Sequence, residues 1–154
     1  MLQIRVAEEA DLPDMQALFT GTIRSVNQKD YTPEQIRVWT STAEDMIRWR
    51  DKFILNQYFI CALSGDQIVG FASLEHDYLD LLYVHKDFQR LGIAKMLLHA
   101  ILQEAIKNKN AVIYTEASIT ALPFFEHQGF ELIKKNKKEL KGIELTNYSM
   151  KKEL

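Results

Sequence analysis

Residues 88–98, FQRLGIAKMLL, place a polar pair, a single glycine and an apolar helical spacing side by side. Gly92 stands at the mouth of the helix, between Arg90 and Lys95. The first N–H groups of a helix have no internal partner and carry partial positive charge, so such a terminus binds phosphate oxygens. Gly92 lets the backbone approach an anion with no Cβ in the way, and Ala94 keeps the next turn small. Arg90 and Lys95 add charge at the rim. The alternative is that Gly92 only relieves packing against a neighbouring strand. Neither common nucleotide motif is present, G-x-x-x-x-G-K-S/T or G-x-G-x-x-G. Elsewhere, Cys61 lies mid-run in YFICAL and reads as a small core residue. His76, His85, His99 and His127 show no metal-ligand spacing, so no metal site is expected.

The elements that must position this glycine alternate along the chain. LQIRVA (2–7) alternates like a short strand. A helix follows, with Leu12, Met15, Leu18, Phe19, Ile23 and Val26 on one face and Asp11 as its cap. Thr32, Pro33 and Gln35 form a capping-box start, and Ser41 with Glu44 repeats the device, so 32–54 reads as two short helices. YFICAL (58–63), the SGDQ turn and IVGFASLEH (68–76) read as a hairpin, and YLDLLYV (78–84) as a further strand. An amphipathic helix covers 91–108, a buried strand 111–117, and a short helix TALPFFEHQ. The tail is a hairpin turning near Lys141 and Gly142, with KKNKKELK as its solvated tip. The order β-α-α-β-β-β-α-β-α-β-β is a mixed α/β architecture around one twisted sheet.

Composition narrows the partners. The 154 residues suit one domain, 1–154. A net charge of −2 argues against a nucleic-acid partner. One cysteine allows no intrachain disulfide and fits a reducing cytoplasm. No apolar run approaches the roughly 20 residues of a membrane span, and the N-terminus lacks a signal-peptide core. A cytoplasmic protein is expected, with a homodimer as the commonest form should it self-associate.

QRLGIA resembles the Q/R-x-x-G-x-G/A signature of the GNAT N-acetyltransferases, with Gln89, Gly92 and Ala94 in the signature positions. LLYVHKDFQRLGIAKMLL is similar to that family's strand, pyrophosphate loop and helix in sequence. SITALPFFEHQGFEL resembles its second motif, usually N-x-x-A-x-x-x-Y-x-x-x-G-F. YTPEQI, EAS and LTNYSM resemble a bacterial subgroup of acetyltransferases. The resemblance implies the GNAT fold: about seven strands in one mixed sheet, the fourth and fifth splayed apart, flanked by about four helices.

It also implies acetyl-CoA as cosubstrate. Its pantetheine arm would lie along the strand 78–84, with Leu82, Tyr83 and Val84 as its neighbours and the Leu82 and Val84 backbones as bonding partners. An open strand edge accepts an amide-bearing arm as it would an added strand. Pyrophosphate would fall on the amides of Gln89, Arg90, Leu91, Gly92, Ile93, Ala94 and Lys95. Phe125 would pack along the arm, and Ser118 would either reach it or cap the following helix. Acyl transfer to an amine needs a base and an oxyanion donor, the latter a backbone N–H of the splayed strand. Period-2 alternation puts Asp80 on the side of Leu82 and Val84, making it the favoured base, with Glu75 and Glu116 as rivals. Phe125 replaces the tyrosine that protonates the leaving thiolate, so the thiolate would leave unassisted or with a water donor, or Tyr148 or Tyr83 would substitute. Trp39 and Trp49 fall on the helices that cover the acceptor pocket. The implied activity is direct acetyl transfer to a primary amine of a small molecule or peptide. A non-catalytic acyl-CoA sensor is the alternative that Phe125 suggests.

Overall fold

The computed structural model describes all 154 residues. Seven strands form one sheet in the order β1-β2-β3-β4-β5-β7-β6. They are β1 (Leu2–Val6), β2 (Tyr58–Ser64), β3 (Gln67–Glu75), β4 (Tyr78–Val84), β5 (Val112–Ser118), β6 (Glu131–Leu140) and β7 (Ile143–Glu153). Every neighbouring pair is antiparallel except β4 and β5, which run parallel. The central strands read as continuous apolar runs because both faces are covered. One face carries α1 (Leu12–Ser25), α2 (Pro33–Ser41) and α3 (Met46–Leu55); the other carries α4 (Ile93–Lys107) and α5 (Leu122–His127). Alternate residues of β2 divide between them: Ile60 and Ala62 join the core cluster of Leu97 and Ile101, whereas Phe59 and Cys61 join that of Met15 and Phe19.

There are five α-helices, two of them between α1 and β2, where 32–54 reads as two short helices. The start of α2 is as expected: Gln35 N donates to Thr32 Oγ1 at 3.1 Å, and Thr32 N to Gln35 Oε1 at 2.8 Å. The second capping box does not form. Ser41 ends α2 and donates to Val38 O at 2.6 Å, and α3 is capped instead by Asp45, whose Oδ1 accepts from Arg48 N at 3.1 Å. Asp11 precedes α1 but its carboxylate turns back to Arg5 (2.8 and 3.0 Å) and to Glu8 N (2.8 Å). The Arg5 guanidinium, acting against burial, holds the Asp11 carboxyl below its ordinary value.

Two irregularities shape what lies between β4 and β5. Their ladder holds only Tyr78 with Tyr114 and Leu79 with Thr115, closed by Thr115 Oγ1 donating to Leu79 O at 2.9 Å. Beyond that pair the strands part. In the β3–β4 ladder, Leu74 faces Leu79 but Ser73 faces Leu81, so Asp80 is an extra residue and β4 bulges there. Leu79, Leu82 and Val84 face α4, whereas Leu81 and Tyr83 face the α1–α3 layer.

Candidate active site

A cavity of about 810 Å³ fills the fork, reaching from the start of α4 to α3 and the β6–β7 tip. Antiparallel partners alternate between bonded and non-bonded pairs. His85 N donates to Val69 O at 2.8 Å, which makes Val69–His85 a bonded pair. Gly70–Val84 and Ala72–Leu82 are then non-bonded pairs, and the Leu82 and Val84 peptide groups turn away from β3 into the gap. The Val84 carbonyl is already taken, by Thr22 Oγ1 at 2.8 Å and Gln89 Nε2 at 2.8 Å. What remains for a ligand is the Val84 N–H and both groups of Leu82. Tyr83 differs from expectation: it alternates the other way, towards β3, and its ring stacks on Phe71 at 5.6 Å. Its hydroxyl is raised above the ordinary phenol value, by burial first and by the Asp80 charge second.

At the α4 end, Gly92 is the N-cap with φ 83° and no side-chain cap bond. The N–H groups of Ile93, Ala94 and Lys95 therefore have no acceptor within the helix. A Cβ on Gly92 would meet nothing within 4 Å, so this glycine does not relieve packing. That task belongs to Gly70, where a Cβ would come within 2.9 Å of Leu97 and 3.0 Å of Ile93. Gln89, Arg90, Gly92, Ile93, Ala94 and Lys95 line the cavity. Leu91 does not, and its side chain is turned outward in a residue 61% exposed. The Gln89 side chain folds back onto the Val84 and His85 carbonyls, at 2.8 and 3.2 Å, and fixes the loop.

The far end holds carboxylates. The bulge overturns the expected face of Asp80: an extra residue shifts the alternation, and Asp80 joins Leu81 and Tyr83 on the α1–α3 side. There Lys52 Nζ donates to Oδ1 at 3.3 Å and stands 3.2 Å from Oδ2, while Asn56 Nδ2 donates to Oδ2 at 3.2 Å. Glu116 faces Asp80 across the fork, one residue past the last paired position of β5. Its Oε2 accepts from Asn147 Nδ2 at 3.1 Å and pairs with Lys138, and the Tyr78 hydroxyl lies beside the same carboxylate. Tyr78 lines the same space, its hydroxyl raised by burial and then by Glu116 and Asp80. Glu75 lies outside the cavity, on β3, with β4 between it and the gap. Tyr148 lies outside it too: opposite Ala117, it shares that residue's face and packs towards α4.

Phe125 is 4% exposed and packs edge-on to Phe124 and Phe130 at 5.3 and 5.1 Å, with its remaining surface on the cavity. Ser118 Oγ accepts from Ala121 N at 3.1 Å and Asn27 Nδ2 at 3.4 Å, so it serves the turn before α5 while also lining the cavity. Trp49 is a buried anchor against Phe19 at 5.1 Å, and Trp39 lines the cavity beside Tyr31. Cys61 is fully buried, and burial pushes its thiol up to about 11, the reverse of an activated nucleophile. The segment joining α1 and α2 is tied across the fork by Tyr31 Oη, which accepts from Ile119 N at 2.9 Å and donates to Thr146 O at 2.7 Å, and by Thr120 Oγ1 on Asp30 at 2.7 Å. Sequence reasoning missed Lys52 and Asn56. Their signal was legible as polar positions four apart, Arg48, Lys52 and Asn56, in RWRDKFILN.

A sheet forked at its one parallel pair, with an uncapped helix start at the fork, is the arrangement expected of a GNAT acyltransferase. The model of the acetyltransferase (GNAT) domain matches residues 27–152; the chain belongs to this family and is an N-acetyltransferase. Among its relatives is the uncharacterized N-acetyltransferase YafP of Escherichia coli, 33% identical over 150 residues, covering 97% of this chain and 95% of that one. A GNAT-family N-acetyltransferase from Rhodopseudomonas palustris superposes with a TM-score of 0.95 at 28% identity, over 99% of this chain and 95% of its own. The paia N-acetyltransferase of Thermoplasma acidophilum, solved with coenzyme A, shares the fold at a TM-score of 0.80 and 16% identity, covering 100% and 99% of the two chains.

Proposed function

We propose that this protein moves the acetyl group of acetyl-CoA to a primary amine of a small molecule or peptide, by direct attack with both substrates bound. The observation that carries this is the fork, which offers open peptide groups on β4, bare amides at Gly92 and carboxylates beyond. The empty space over Gly92 suits a phosphate, with Arg90 and Lys95 to neutralise it. The coenzyme A complex of the Thermoplasma relative supports the same ligand class here. Acetyl-CoA supplies the thioester carbonyl that the amine attacks. The Leu82 N–H points into the gap and donates to the oxygen where charge develops. Glu116, held through Oε2 by Asn147 and Lys138, takes the proton of the incoming amine on its other oxygen, directly or through water. Asp80 has both oxygens engaged and holds Lys52 in place. With phenylalanine at 125, the thiolate leaves without a protein acid, which a thiol of pKa near 8.5 permits.

Free thiol released from acetyl-CoA, followed across a panel of amines, tests this. Amine-dependent release is expected, with intersecting initial-rate lines. Parallel lines would point to an acetyl-enzyme and defeat direct attack. Tight acetyl-CoA binding with no turnover of any amine would favour a sensor instead.

A further inference from the structure

We propose that the acceptor is an amine that also carries an anionic group, in the simplest case a carboxylate, and that Arg48 selects it. This rests on the acetyl-transfer reading above. Six basic residues line the cavity against three acidic ones, in a chain whose net charge is −2. Arg90 and Lys95 lie at the α4 end, where phosphate is expected, and Lys29 lies on the segment that crosses the fork. At the amine end, Lys52 is held by Asp80 and Lys138 by Glu116. Arg48 is left over. It lines the cavity, its backbone N–H bonds Asp45, and its guanidinium has no ion pair or hydrogen bond.

Its position follows from α3. Arg48 and Lys52 are four residues apart on one helix, so they share a face with Cβ atoms about 5–6 Å apart. Lys52 reaches into the fork and is fixed on Asp80, so Arg48 overlooks the same space one turn earlier. A substrate whose amine is placed at Glu116 thus shares its cavity with an unpaired guanidinium. Guanidinium binds a carboxylate through two parallel N–H bonds, which fixes orientation as well as charge. Glu139, on β6, is the one lining carboxylate without an ion pair.

The test compares amino acids with their own carboxamides, same carbon skeleton, by kcat/KM with acetyl-CoA saturating. The carboxylate member should be preferred by the native protein. Arg48→Ala should lower the carboxylate-to-carboxamide ratio about 10- to 100-fold, the loss expected for a charged hydrogen bond. Arg48→Glu should lower it further. Differences in amine basicity cancel when the ratios are compared between proteins. A ratio unchanged by Arg48→Ala overturns the assignment while leaving acetyl transfer intact. Failure to acetylate any amine, with acetyl-CoA still bound, overturns the underlying reading instead. Arg48 is exposed, so these variants do not disturb the core.

Discussion

Glu116 and Asp80 stand at equivalent places on the two arms of the fork, yet their surroundings assign them different work. Asp80 is bonded through both oxygens by Lys52 and Asn56, whereas Asn147 and Lys138 both fall on Oε2 of Glu116. Glu116→Gln should therefore lower kcat about 100-fold or more, within the range for a lost general base, while acetyl-CoA affinity holds. Asp80→Asn frees Lys52 and should act mainly on KM for the amine. The reverse pattern in steady-state kinetics would exchange their roles. The residue types at the site were legible, since carboxylates, Gly92 and the loop cations all lie in short recognisable stretches. The face of Asp80 was not, because strict alternation holds only in an unbulged strand, and nothing in YLDLLYV marks an extra residue.

Elements were easier to read than the irregularities between them. The expected helix 91–108 is Ile93–Lys107, and the expected strand 78–84 is Tyr78–Val84. Periodicity over ten or more residues averages out single misfits, whereas a cap depends on one side chain. Hence Ser41 and Asp11 were misassigned while their helices were found. The start of α4 is where an element becomes a binding device. Gly92→Glu places a side chain and a negative charge where phosphate is expected, and should weaken acetyl-CoA binding at least about 100-fold by calorimetry. Gly92→Ala is the control, since it carries the strain of a positive φ, on the order of 1–2 kcal/mol, without the charge. If Gly92→Glu binds as well as Gly92→Ala does, with both folded by circular dichroism, the phosphate assignment fails.

At the scale of the molecule, the alternation of strands and helices followed from the pattern of apolar runs, and a fork between the fourth and fifth strands from the family resemblance, but the width of that fork did not. That width depends on contacts distant in sequence. Near the end of α1, Thr22 holds the last carbonyl of β4 at 2.8 Å. A few residues on, Asn27 and Tyr31 hold the end of β5 and the turn beyond it, at 3.4 and 2.9 Å. One stretch of chain thus braces both arms. The consequence is kinetic: an opening held by the protein's own cross-links exists before any ligand arrives, and entry requires no isomerisation. The pseudo-first-order rate of acetyl-CoA association, followed by stopped flow, should climb in proportion to concentration, and a plateau would mean that the arms separate only on demand.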